Sequence, residues 1–549
     1  MKAQKLILGN VITMDSVKPF AKAITLVDGR IQYVGSVNQA KLLCDDNTVI
    51  LDYGDNYIYP GFMDAHTHGL FAGYRSLGQA DLTVILPPTY DGYREVITKF
   101  INNNPDKDIY VAAGWAEDGK TIFTRSFLDE ICSNKPLIMN TMSGHSILLN
   151  TKAMEFFEVD KDFAAKYGKD LVRVDENGEP TGYICETPAI AIIQSLKISD
   201  ENARKYIKDW QKFAFSKGFT GAVDAGFELI SKNALDAYIY LNDNDELKLY
   251  SFGYLICDDN LNNPKEKALE ISELAKKHNG KHFKILGAKV FLDGVVEAHT
   301  AWLCDEYSDN PGYYGNQRFN DLDSMTELIA ETGKLGLAVH AHSDGDGATK
   351  FFLDAVVKGQ TISGNMDQRN AAAHLQLLRD EDIQRMADTN TIAVVPPLWV
   401  PKLPGAYEQE CGYIGKKRND SVYPIKSFID KGALIVFHSD YPISPTFDAA
   451  RSVYVAVKRT VPEGILEGVD VEYSLRGEGE AISRYEALKA LTTNVAYMIH
   501  EEDNLGSIST GKIANFSILD KDLLNDDMDD IFASEVIATV VDGDEVYHK

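Results

Sequence analysis

Eight short apolar runs, several of them closing on aspartate or histidine, restrict the fold of this 549-residue chain more than any other feature. They read at Tyr57–Asp64, Phe219–Asp224, Leu249–Ile256, Lys284–Phe291, Leu335–His342, Asn370–Leu375, Thr391–Pro397 and Leu434–Asp440. Helical stretches such as ARKYIKDWQKFAFSKG and MTELIAETGKLG separate several of them, each closing on a glycine suited to a helix C-cap. Strand, helix, strand, repeated, predicts a parallel sheet covered by helices, and eight such units predict a closed α/β barrel of the (β/α)8 TIM type. The interval between the first two runs is too long for one crossover. Residues 70–199 therefore read as an inserted lobe over the catalytic face, with strand-like pieces IYVAAGW and PLIMNTMSGHS.

The two ends share a texture. AITLVDGRIQYVGS turns at Asp28-Gly29 and IATVVDGDEVYH at Asp542-Gly543, both strong hairpin signals. With TVILDYGDNYIYPG and GKIANFSILD they predict a small β-sandwich built from residues 1–56 and 499–549. The barrel then takes 57–69 and 200–498.

The formal net charge is -27. A polyanionic surface repels phosphate backbones, so no nucleic-acid partner is expected. The charge says little about the substrate, and the expected partner, a small-molecule substrate, follows from the site chemistry below. The first apolar run meets Asp15 too soon for a signal-peptide core, and no stretch approaches the roughly 20 apolar residues that span a bilayer. The six cysteines form no CxxC pair and read as reduced packing thiols, which predicts a cytoplasmic protein. A homo-oligomer is compatible with the sequence.

The sharpest chemical motif is GFMDAHTHG. His66 and His68 stand two apart at a strand end, so alternation turns both imidazoles to one face, where one cation can reach both. Zinc, about 2.0–2.1 Å from an imidazole nitrogen, suits such a pair. His340 and His342 close LGLAVHAH, His374 closes RNAAAH, and Asp440 closes LIVFHSD. Four strand ends thus supply histidine or aspartate to one mouth, as a barrel metal site requires. In FKILGAKVFLDG, Lys289 lies late in an apolar strand with Asp293 beyond it. Burial would favour its neutral amine, which can add carbon dioxide to give an anionic carbamate able to bridge two cations.

These segments, GFMDAHTHG, KVFLDGVVEAHTAWL, HAHSDGDGA, RNAAAHLQ and HSDYP in that order, resemble the amidohydrolase superfamily. The resemblance is to its amidohydrolase 3 branch of N-substituted formamide deformylase-like metal-dependent hydrolases, and it runs over essentially the whole length. It implies that His66 and His68 bind the more buried metal, that Lys289, N6-carboxylated, bridges, and that His342 and His374 bind a second metal. Asp440 would contact a metal and act as general base. The spacing to Gly345-Asp346 selects His342 over His340. Two positions depart from the pattern: Ala373 replaces a glutamate beside His374, and Gly347 replaces a motif arginine. His145, in SGHSILLN, and Trp115, in AAGWAEDG, resemble insert residues that reach the substrate.

The expected enzyme is a hydrolase acting on carbon–nitrogen bonds other than peptide bonds, using one or two divalent ions, zinc foremost. Its substrate would carry an amide-type bond, N-acyl or N-formyl. The alternative is a single-metal aminohydrolase that deaminates a heterocyclic amine. A non-catalytic metal-binding scaffold is the third reading, favoured only by Ala373 and Gly347.

Overall fold

The computed structural model describes the chain except residues 86–87, 116–120, 142–145, 170, 260, 445 and 467–469, and the side chains of 186, 187, 190 and 194. The described residues divide into two compact units, one of 1–69, 211–229 and 238–549, the other of 70–210 and 230–237.

In the first unit, eight strands pair in parallel, each with the next in chain order, among the described residues. They are β1 (Phe62–Thr67), β2 (Phe219–Asp224), β3 (Tyr250–Ile256), β4 (Phe283–Phe291), β5 (Ala338–Ser343), β6 (Ala371–His374), β7 (Ile392–Val395) and β8 (Ile435–Phe437). The ring closes where the Asp440 N–H donates to the His66 carbonyl at 3.0 Å and the His68 N–H to the Tyr441 carbonyl at 2.9 Å. All six residues of β1 and all six of β2 are buried, so neither strand shows hydrophobic-in, polar-out alternation. That explains one difference from the sequence reading. The run at Tyr57–Asp64 is two strands, because Val49–Pro60 ends before Gly61 and belongs to a different sheet. No change of polarity marks the boundary, only the glycine, where a Cβ would stand 2.0 Å from Thr220 Oγ1.

That other sheet holds strands from both chain ends. Its order among the described residues is Asp544–His548, Val536–Val541, Phe516–Leu519, Val49–Pro60, Lys5–Ile12, Phe20–Val27 and Arg30–Gly35. Both predicted hairpins form, with Asp28 and Gly29 at φ 51° and 72° and Asp542 and Gly543 at 54° and 81°, the pair of positive angles a type I′ turn needs. Ile31 and Val34 from one edge share an apolar cluster with Ala538 and Val540 from near the other. The Ile31 N–H also donates to the Lys512 carbonyl at 2.9 Å, so the sheet folds over on itself around this cluster.

The barrel's helices follow their sequence patterns. All but the last two residues of MTELIAETGKLG lie in the helix Leu322–Lys334, which Asp321 caps by accepting the N–H groups of Asp323 and Ser324. Met325, Leu328, Ile329 and Thr332 form its buried stripe, and burying the three apolar members contributes about 1.5–3 kcal/mol each. Gly336, at φ 71°, releases the chain toward β5.

The second unit has its own sheet, ordered Val172–Val174, Pro180–Cys185, Ser146–Leu149, Leu137–Thr141, Tyr110–Trp115 and Ala80–Asp81 among the described residues. Among the described residues, no helix is long and apolar enough to cross a membrane.

Candidate metal centre

The C-terminal ends of β1, β4, β5, β6 and β8 bring His66, His68, Lys289, His340, His342, His374, His438 and Asp440 to one end of the barrel. His66 lies at the centre of this group, its ring centroid 5.3 Å from His68, 4.9 Å from His340 and His374, and 5.1 Å from His438. Asp440 Oδ1 stands 3.3 Å from His66 Nε2 and 3.2 Å from His68 Nε2. One ligand atom each from His66, His374 and Asp440 falls within 4.8 Å of the others.

The backbone here is strained. His374, Leu375 and Asp440 have φ of 79°, 55° and 56°, in the left-handed region where a side chain costs energy. Such conformations persist only where the surroundings hold them, and they cluster at functional sites. Asp64 supplies part of that hold. Its buried carboxylate accepts the His66 N–H at 3.0 Å and the Ser439 N–H at 3.0 Å, tying β1 to the residues just beyond β8. Burial nevertheless pushes this carboxyl up to about 7.

The electrostatics are those of a site short of partners. Lys289 is fully buried and its Nζ meets no hydrogen-bond partner among the described residues. Burial pushes its pKa down to about 7, against the pull of the Asp440 carboxylate. Burial holds His66, His340 and His374 well below the usual imidazole range and brings His438 down to about 3, so all four imidazoles are neutral at pH 7. Nδ1 of His68, His340 and His374, both ring nitrogens of His438, and Asp440 Oδ1 likewise meet no hydrogen-bond partner among the described residues. A buried polar atom left unpaired costs about 1–3 kcal/mol, and most of these, His340 Nδ1 apart, are accounted for if they face a cation and its water. Neutral imidazoles, a carboxylate and a neutral amine open to carboxylation are the donor types a divalent ion takes, so the residues fit the group.

His342 differs from its neighbours. Its side chain is 13% exposed and its Nδ1 lies 2.9 Å from Asp293 Oδ1, while its ring approaches His374 at 4.5 Å. Asp293 is itself anchored by the N–H groups of Trp302, Asp344 and Gly345. His374 instead lies flat against Trp399, with ring centroids 5.5 Å apart and an interplanar angle of 4°.

His66, His68, Lys289, His342, His374 and Asp440 therefore share one end of the barrel. Trp115 is 5% exposed and packs in the second unit's own core, edge-on to Phe123 and Tyr183. His145 lies outside the described residues. Sequence reasoning missed Asp64, His438 and Trp399, and set His340 aside. The HSD triplet at the end of β8 held the signal for His438, since the residue two before Asp440 shares its face; nothing local marks Trp399. Gly347 also has a reason. A Cβ there would stand 2.7 Å from Trp302 Cδ1 and 2.9 Å from the Leu303 carbonyl carbon, which leaves no room for the motif arginine. Ala373 is fully buried between His342 and Val394 of the flanking strands, and nothing in the structure explains the loss of the glutamate.

A closed parallel barrel with histidines, a lysine and an aspartate converging at its strand ends defines the class: a metal-dependent hydrolase. The model of the amidohydrolase family matches residues 50–547, and the chain belongs to that family. It is 26% identical over 552 residues to Protein LONG AFTER FAR-RED 3 of Arabidopsis thaliana, covering 98% of this chain and 90% of that one. It is 25% identical over 577 residues to the N-substituted formamide deformylase of Arthrobacter pascens, covering 99% and 98%. Among solved structures, an uncharacterized metal-dependent hydrolase from Pyrococcus furiosus aligns with a TM-score of 0.75 at 25% identity, over 95% of this chain and 100% of that one.

Proposed function

We propose that the enzyme hydrolyses a carbon–nitrogen bond of amide type, N-acyl or N-formyl, in a small molecule. His66, His68, Asp440 and an N6-carboxylated Lys289 would hold one divalent ion, and Lys289, His342 and His374 a second, zinc being the ion of choice. The observation that carries this reading is Asp440 Oδ1, buried, strained into place, and facing the Nε2 atoms of two histidines at 3.3 and 3.2 Å without hydrogen-bonding to either. When bound, the cation supplies Lewis acidity, lowering the pKa of a water and polarising a carbonyl.

The chain's own residues do the rest. Asp440 takes the proton of the attacking water and passes it to the departing nitrogen, so that an amine leaves and a carboxylate remains. Burial keeps the imidazoles of His66 and His374 neutral, so their lone pairs stay available as ligands. Asp293 fixes the ring of His342 through Nδ1, and Trp399 fixes the plane of His374. The likeness to an N-substituted formamide deformylase supports an N-formyl or N-acyl substrate.

The test is a purified enzyme assayed for metal content and for products across a panel of N-formyl and N-acyl amines. Release of the free amine and the carboxylate, with one or two zinc ions per chain, supports the reading. Stoichiometric ammonia from a heterocyclic amine, with a single ion, would replace it with deamination.

A further inference from the structure

We propose that His340 is a positioning residue for the metal centre: its Nε2 accepts a hydrogen bond from His66 Nδ1 and thereby fixes which nitrogen of His66 faces the cation. This inference rests on the reading of the barrel mouth as a metal site. His66 Nδ1 and His340 Nε2 are 3.0 Å apart, and the two residues are 1% and 0% exposed, so no solvent competes for the contact.

The proton count then follows from valence alone. The nitrogen of His66 that faces Asp440 is Nε2, and a ligand nitrogen must present its lone pair. The single proton of a neutral His66 therefore sits on Nδ1, which donates. His340 must accept through Nε2 and carry its own proton on Nδ1. The opposite tautomers would turn an N–H of His66 toward the ion and abolish coordination. His340 thus selects one of the two tautomers, which is what a carboxylate or a backbone carbonyl usually does for a metal-bound histidine. In this chain His342 has such a carboxylate in Asp293. His66 has an imidazole in that role, which orients the ring without adding a charge to the site.

The fold holds His340 where this requires. Its backbone pairs with Lys289 across β4 and β5, which sets its height in the barrel. The Tyr254 ring packs on it with centroids 4.9 Å apart. Neither contact takes the nitrogen that reaches His66.

The experiment compares the wild type with His340→Gln, which keeps an acceptor, and His340→Leu, which does not. Each is loaded with zinc, and affinity is read by competition against a chelator. The cobalt(II)-substituted forms are compared by their visible spectra, and the unfolding midpoints of the metal-stripped forms report packing alone. The expected result is a loss of about 10–100-fold in affinity for Leu, with most of it recovered by Gln and a cobalt spectrum close to that of the wild type. If His340→Leu does not fold, His340→Met serves as the apolar variant. Equal losses for Gln and the apolar variant would make His340 a ligand and not an orienting group. Unchanged affinity in both would reduce it to packing. Either outcome overturns this inference alone, whereas a wild-type chain that takes up no divalent ion overturns the metal-centre reading with it.

Discussion

Two histidine–aspartate encounters at opposite ends of the barrel show how differently the same side chains are used. At the N-terminal end, beside the terminal sheet, Asp542 Oδ2 lies 2.7 Å from His282 Nε2 and 2.7 Å from Lys281 Nζ, while its Oδ1 accepts the Tyr250 hydroxyl at 2.7 Å. Its backbone N–H donates to Asn515 Oδ1 at 2.8 Å. Both carboxylate oxygens are paired, and the aspartate belongs to a tight hairpin turn. At the C-terminal end, Asp440 faces two histidines at 3.3 and 3.2 Å and its Oδ1 hydrogen-bonds to neither. Hydrogen bonds that are completed secure the join between sheet and barrel. At Asp440 Oδ1 they stay incomplete, at a cost in stability, which leaves capacity for a ligand.

The contrast can be broken at either end, and the largest effect belongs to the mouth. Asp440→Asn lowers turnover by about 10²–10⁴-fold while the unfolding midpoint stays near that of the wild type, as steady-state kinetics and calorimetry would read. Unchanged turnover would remove Asp440 from the chemistry.

Metal removal comes next. An ion present at 1,000 times its dissociation constant stabilises the fold by about 4 kcal/mol, so chelation should lower the unfolding midpoint by the corresponding amount. His282→Ala should leave that difference intact, since its pair lies at the other end of the barrel. A midpoint indifferent to chelator would argue against a bound ion.

Asp542→Asn tests the satisfied end. It should cost about 1–3 kcal/mol of stability with kcat/KM unchanged. Burial alone would raise the Asp542 carboxyl, but hydrogen bonds from His282, Lys281 and Tyr250 outweigh it and hold the group well below the usual carboxylate range. A depressed folded-state pKa gives stability that is complete above the unfolded value, about 3.9, and is lost as pH falls toward the folded one. The variant should therefore show a shallower loss of stability than the wild type below about pH 4. Parallel acid limbs would contradict the assignment.

The smallest effect is at the hairpins. Gly29 holds φ 72°, and a Cβ there would stand 2.8 Å from the Asp542 carbonyl oxygen. Gly29→Ala should destabilise by about 1 kcal/mol or more, seen as a small drop in denaturant midpoint without a change in activity.

Much of this was legible in the sequence because it depends on local rules. The Asp-Gly turns require paired positive φ angles whatever surrounds them. The eight apolar runs announce strands buried on both faces, and the HxH spacing of His66 and His68 follows from the two-residue period of a strand. The same rules could not separate Val49–Pro60 from β1, since both are apolar at the junction and only Gly61 divides them. Nor could they rank His340 against His342. Both lie on the same face of β5, and which of them meets Asp293 and which meets His66 depends on strands contributed from far along the chain.

By itself, then, the sequence determined the parallel strand order, the terminal hairpins and the histidine, lysine and aspartate set at the strand ends, because each is written in periodicity or in the conformational needs of single residues. Only the tertiary structure decided the partners: Asp64 bracing His66 and Ser439, Trp399 lying on His374, Trp302 filling the space at Gly347, and His340 set against His66. Apart from the short Asp64–His66 link, these are contacts between segments tens to hundreds of residues apart, and pairing of that kind is fixed by how the barrel closes, which no local pattern encodes.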